Sequence, residues 1–264
     1  MIVALIDNGS LEPAAHLNLR AVAAALSTRA GTVVHAVSWK HSDRIAAAAL
    51  GDTPAWTFAP FVRGMVALGQ REFVFVPFFI SQQGAIGSAL RCDLEELRTE
   101  LPDFEFAFTD GLAARGTIPA IVSARIREVI ASRQLIAPPV IVVDHGGPSS
   151  ASATLRDELA KEIRHQLGAS IGSLAAASME GSHPPLLADQ LRAGGFAGRD
   201  VVVAPLFLSP GRHAGPEGDV AQICASSAAR CHLGGLVGTH PLAIDALAAA
   251  LQDTLSARHA HTFA

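Results

Sequence analysis

The stretch "RDVVVAPLFLS", Arg199 to Ser209, is a nearly unbroken β-branched and apolar run between a charged start and a serine turn. Such a run predicts a strand buried on both faces. An earlier stretch, "REFVFVPFFIS", Arg71 to Ser81, lines up on it without a gap, with five of eleven positions identical and most others apolar for apolar. A second pair is "LIDNGS", Leu5 to Ser10, and "VVDHGGPSS", Val142 to Ser150, which share an apolar run, an Asp, one variable position and a Gly. The variable position holds Asn8 in one and His145 in the other. A third pair, "GLAARGTIP" from Gly111 and "GLVGTHP" from Gly235, ends in Gly-Thr-x-Pro before a helical pattern. The copies stand about 120 to 140 residues apart, too long a period for a solenoid and the mark of one duplicated unit. The natural seam is "QLIAPPV", Gln134 to Val140, where two prolines interrupt a helix ahead of the next strand. This predicts units over 1–137 and 138–264.

Each half alternates strand and helix. In the second half, "PVIVVDH", "IGSLAAASME", "DVVVAPLFLS" and "HLGGLVGTH" read as strands, the second more weakly than the others. Between them, "SATLRDELAKEIRHQLG", "PPLLADQLRAGG" and "DVAQICASSAARC" carry helical spacing, and "PLAIDALAAALQDTLSA" closes the chain in the same way. Alternation of this kind predicts parallel sheets with helices on both faces. The expected fold is therefore two tandem α/β units, related by pseudo-twofold symmetry.

Composition narrows the function classes. The chain has 264 residues and a net charge of −4, with no basic tract and no Tyr. That argues against a nucleic-acid partner. No run approaches the ~18–20 apolar residues of a spanning helix, so no membrane partner is expected. The opening "MIVALIDNGS" reads as a first strand and not as a signal peptide. Three cysteines, Cys92, Cys224 and Cys231, make an odd count without a secretory signal, which argues for reduced thiols in the cytoplasm. The spacing of Cys224 and Cys231 matches no zinc or redox motif, so both read as buried structural thiols.

In open parallel sheets, sites form beyond the carboxyl ends of the strands. In the second half those positions hold His145, Glu180, His213 in "SPGRH", and His240. His145, Glu180 and His213 are suitable ligands for a divalent first-row metal. The first half has Asn8, Lys40 and "SQQGAIG" in their places, so all three donors are absent together from one copy. His240 is a weaker candidate, because Ile118 stands at its place in the first half. Gly146 and Gly147 suit a tight turn close to a ligand, and Ser149 lies where a helix N-terminus would meet an anionic group. Neither G-x-G-x-x-G nor G-x-x-x-x-G-K-[ST] occurs, so neither NAD nor ATP is expected.

A strand ending in His-Gly-Gly, followed by "PLFLSPGRH", resembles the sirohydrochlorin chelatase family, the ATP-independent chelatases of sirohaem and cobalamin synthesis. The resemblance covers nearly the whole chain, since long members are also two tandem units. It implies a chelatase that inserts cobalt or iron, with nickel a further candidate, into sirohydrochlorin or a related tetrapyrrole. It implies His145 and His213 as metal-binding and catalytic residues, joined by Glu180 as ligand or base, and a first unit that serves as a cleft wall. Arg212 is then the first choice to pair with a ring carboxylate. The chain departs from the family where many members carry Asp-Ile-Pro soon after the second His; here Asp219 follows six residues on. Two other readings compete: a non-catalytic tetrapyrrole or metal carrier, and a hydrolase with His145 as base. Monomer and homodimer both fit the sequence.

Overall fold

The computed structural model describes residues 1–80, 85–101, 103–147 and 150–262, with side chains at all of these except 85–88 and 259–262. It divides into two compact units, Met1–Arg115 with Pro241–Ala264, and Gly116–His240.

In the first unit, β1 (Ile2–Asp7), β2 (Val34–Ser38), β3 (Trp56–Thr57), β4 (Glu72–Pro77) and β5 (Glu105–Phe108) form a parallel sheet in the order β3-β2-β1-β4-β5. The helices are α1 (Pro13–Ala30), α2 (Phe58–Ala67), α3 (Ala85–Glu100) and, from the end of the chain, α8 (Pro241–Thr262), which packs along α1. The core on one face is aromatic: Phe58, Phe61, Phe73, Phe75 and Phe104 are all buried. Phe73 and Phe75 follow the two-residue period of β4 and stack with ring centroids 5.8 Å apart.

In the second unit, β6 (Pro139–Asp144), β7 (Ser173–Ser178), β8 (Asp200–Pro205) and β9 (Arg230–Leu233) run parallel in the order β7-β6-β8-β9. The helices are α4 (Thr117–Arg133), α5 (Ser150–Leu167), α6 (Leu187–Ala193) and α7 (Asp219–Ala225). α4 packs on α5 and β8. Here the core is aliphatic, with Ile141 and Val143 on β6 and, on β8, Val201 and Val203 at the places of Phe73 and Phe75. The register is the same in both copies. Val3 pairs with Val74 in the first unit, as Val140 pairs with Val202 in the second. A parallel bridge from Ser178 to Leu186 stands where β3 pairs with Ser38.

Two expectations are revised. The seam at 137/138 falls inside the second unit, because α4 packs with the strands that follow it and α8 with the first unit. The duplication is therefore intact in sequence, but the last helix of each copy is exchanged in space. The last strand, expected over His232 to His240, ends at Leu233. The Gly234-Gly235 pair that follows brings no side chain to hold a pleated edge, so the chain leaves the sheet. His240 thus lies seven residues past the strand and not at its tip.

Candidate functional site

Parallel pairing of β6 and β7 continues past their ends. Asp144 is in register with Ser178, Met179 donates its N–H to the Asp144 carbonyl at 2.8 Å, and Glu180 donates to the His145 carbonyl at 3.2 Å. This extension sets Glu180 beside His145. It depends on Gly146, whose φ is +80° and where a Cβ would stand 1.9 Å from the Glu180 carbonyl oxygen. Only glycine accepts that backbone at that approach. The first unit repeats the construction. Lys40 donates its N–H to the Asn8 carbonyl at 3.3 Å, and Gly9, at φ +86°, would bring a Cβ to 1.8 Å from the Lys40 oxygen. Asn8 therefore stands for His145 and Lys40 for Glu180, atom for atom along the backbone.

The side chains follow from this frame. His145 Nε2 lies 3.5 Å from Glu180 Oε1. That separation suits two donors of one ion, since bonds of about 2.1 Å at a tetrahedral angle place their donor atoms about 3.4 Å apart. Nδ1 of His145 is 2.6 Å from the Gly146 carbonyl, which fixes it as the protonated nitrogen and leaves the Nε2 lone pair outward. His213, on the turn between β8 and α7, packs edge-on against His145 with ring centroids 4.6 Å apart and planes at 85°. Its Nδ1 donates to Asp219 Oδ2 at 2.6 Å, so its Nε2 also carries the lone pair. Asp219 is the first residue of α7, and the turn closes by backbone bonds from Asp219 N to Arg212 O and from Val220 N to His213 O, each 3.1 Å.

The structure thus brings His145, Glu180 and His213 together, with His145 touching both of the others. It does not present them as a closed ligand set. Among the described residues, no group of three or more His, Cys, Asp or Glu is arranged to hold a metal ion. The His145 and His213 rings stand perpendicular, edge to face. His145 and Glu180 are 48% and 59% exposed, so an incoming ion can reach both.

The remaining candidates are distributed otherwise. Gly147 continues the turn after Gly146, while Ser149 lies outside the described residues. Arg212 extends into solvent, with its Nε 3.8 Å from Asp219. His240 is turned to α4, with Nε2 3.8 Å from Glu128 Oε1. Burial, and then Arg125, hold its pKa below the ordinary histidine value. Ser81 to Gly84, the start of the first-unit counterpart of "SPGRHAG", also lie outside the described residues.

Sequence reasoning passed over the layer beneath. Ser178 Oγ donates to Asp144 Oδ1 at 2.7 Å, and the buried Arg156 of α5 donates to Ser178 Oγ at 2.6 Å. The first unit has the same layer with a different third member: His16 of α1 meets Ser38 Oγ at 3.4 Å, and Ser38 bonds Asp7. Burial raises the Asp7 pKa to about 6 and lowers that of His16 to about 4. The signal was present in the repeat, because Asp7 and Asp144 are the one polar identity inside an apolar run.

Residues 139–254 match the CbiX family model. No curated protein sequence matches the chain. Among solved structures, the fold is similar to SirB from Bacillus subtilis with Fe3+, with a TM-score of 0.68, 12% identity and 96% of each chain covered. It is also similar to the sirohydrochlorin chelatase SirB from Bacillus subtilis subspecies spizizenii in complex with cobalt, with a TM-score of 0.65, 13% identity, and 96% and 95% of the two chains covered. CbiX, the terminal enzyme of sirohaem biosynthesis in denitrifying bacteria, gives a TM-score of 0.63 at 16% identity, with 96% and 97% covered. His145, Glu180 and His213 all fall inside the segment, residues 139–254, that matches the CbiX family model.

Proposed function

We propose that this protein is an ATP-independent chelatase that inserts Co2+ or Fe2+ into sirohydrochlorin or a related tetrapyrrole, with the metal handled in the second unit alone. The observation that carries this reading is the contact of His145 with both Glu180 and His213 in the CbiX-matching unit, set against Asn8 and Lys40 at the same backbone positions of the other. Solved relatives of the same fold hold iron and cobalt, the two candidate substrate metals.

Insertion exchanges two pyrrole N–H protons for one M2+. The metal must shed water first, and two neutral imidazoles with outward Nε2 lone pairs replace part of that shell. The Asp219 carboxylate keeps His213 in the required tautomer and raises its basicity as a donor. As the ring nitrogens take the ion, its bonds to His145 and His213 break, and the freed lone pairs can accept protons. Glu180, exposed beside His145, is the second acceptor and passes its proton to solvent. Arg212, reaching into solvent next to His213, supplies a cation for a ring carboxylate. No step draws on a nucleotide. A polycarboxylated, water-soluble substrate suits the cytoplasm.

The test is to mix the purified protein anaerobically with sirohydrochlorin and Co2+ and to follow the ring's absorbance through several turnovers. Multiple turnovers above the uncatalysed rate support the chelatase. A single stoichiometric change that then stops supports a carrier, and no acceleration at all rejects the reading.

A further inference from the structure

The first unit holds an open cavity of about 490 Å³ where α1 packs on β2 at the edge of the sheet. β3 is two residues long and pairs only with Val37 and Ser38, so Val34, His35 and Ala36 line the cavity instead. Its volume is that of a small-molecule site. Arg20 of α1 ties down the loop ahead of β3, donating to the carbonyls of Leu50, Thr53 and Pro54 at 2.7, 2.6 and 3.1 Å. Trp56, half exposed, stands edge-on against the buried Phe61 with ring centroids 6.1 Å apart, and His35 tilts on the same ring at 5.2 Å. His16 also lines the cavity and is only 1% exposed. Its Nδ1 faces Ser38 Oγ at 3.4 Å, while its Nε2 has no hydrogen-bond partner among the described residues. Ser38 is in register with Asp7 and gives it a proton, as Ser178 does to Asp144. Ser38 Oγ therefore accepts from His16 Nδ1, and the imidazole lone pair is left on Nε2.

We propose that this cavity binds a small planar heteroaromatic molecule with a ring N–H, which donates to His16 Nε2 while its ring lies on Trp56. A buried acceptor left unmet is costly, and a ligand that brings the donor recovers that cost. Burial, and then the Arg20 cation, hold the His16 pKa at about 4, so the lone pair is available at neutral pH. Burial lowers the His35 pKa as well, so the wall beside Trp56 is an uncharged ring. The Arg20 guanidinium disfavours an organic cation, and a purely hydrocarbon ring gives Nε2 nothing. The second unit is built otherwise: Arg156 meets Ser178 where His16 meets Ser38, and its guanidinium is also taken up by Asp157. The lining belongs wholly to the first unit, whereas His145, Glu180 and His213 belong to the second, so the site stands independently of metal handling.

The probes are indole and 1-methylindole, in which a methyl group replaces the N–H proton. The full chain, labelled with nitrogen-15 histidine, is titrated with each at neutral pH and followed through its imidazole nitrogen resonances, with His16 assigned by its loss in His16→Gln. In the free protein, His16 should carry its proton on Nδ1. Indole should shift the Nε2 resonance as that nitrogen accepts a hydrogen bond, and 1-methylindole should bind about tenfold more weakly. Trp56→Ala, at the exposed rim, should weaken indole about tenfold with a thermal melt close to that of the wild type. The proposal is overturned by a proton on Nε2 in the free protein, by no change at His16 on adding indole, by equal affinities for the two probes, or by undiminished indole binding in Trp56→Ala.

Discussion

At the scale of single residues, Asp219 shows how a site can depend on a group that a motif does not mark. Its carboxylate accepts a hydrogen bond from Nδ1 of His213, which leaves Nε2 outward for the metal in the proposed function. Asp219→Asn should weaken Co2+ binding about 10- to 100-fold, the usual cost of losing such a partner, as read by metal titration. Asp7 and His16 permit a test that is independent of metal. Asp7 has a folded pKa near 6, above its unfolded value of 3.8, so the native state binds the extra proton, and stability falls as pH rises from about 4 to 6. His16, lowered to about 4 from 6.5, acts in the opposite sense, and stability falls as pH drops through the same window. The two slopes, each up to about 1.4 kcal/mol per pH unit, offset one another. Relative to the wild type in urea melts, Asp7→Asn should therefore lose stability toward pH 4.5, and His16→Gln should gain it. Equal pH profiles for all three proteins would contradict these assignments. His145, Glu180 and His213 were legible from sequence because they lie beyond strand ends and vanish together from the other copy. Asp219 and the Asp-Ser layer were not, because their partners are brought in by the fold.

At the scale of elements, the decisive structure is the extension of β6 and β7 beyond their last paired residues. Gly146→Ala would drive a methyl into the Glu180 carbonyl and impose a left-handed φ on alanine. The strain is of order 1–3 kcal/mol before any clash, and Glu180 must move from His145. Gly9→Ala meets the same backbone obstacle at Lys40. Both variants should lose stability in thermal melts, and only Gly146→Ala should lose metal affinity beyond what its stability explains. Strand identity was readable from the buried runs, and even the weak "IGSLAAASME" segment forms β7 in the expected register. The last strand was not readable to its end, because "HLGGLVGTH" keeps an apolar look while two glycines remove the side chains a strand needs.

At the scale of the whole molecule, the exchange of terminal helices decides what can be cut. Gly116–His240 forms a compact unit that contains α4, the full β6–β9 sheet and the candidate site. Residues 138–264 carry α8 without the α1 surface it packs on, and lack α4. The excised 116–240 fragment should give a cooperative melt and bind Co2+, whereas 138–264 should be unstable or aggregate. The reverse outcome would restore the seam suggested by sequence. Duplication was legible because strand-forming runs survive divergence. The exchange was not, because each helix has the same apolar pattern whichever unit receives it. The central claim, one metal site in a duplicated fold, is tested most directly by sirohydrochlorin metallation kinetics with His145→Ala and Asn8→Ala side by side. The account predicts a rate lower by about 10²–10⁴ for His145→Ala, as expected for losing a residue that moves protons at the reacting centre, and a near wild-type rate for Asn8→Ala. Equal losses in the two variants, or none in His145→Ala, would contradict it.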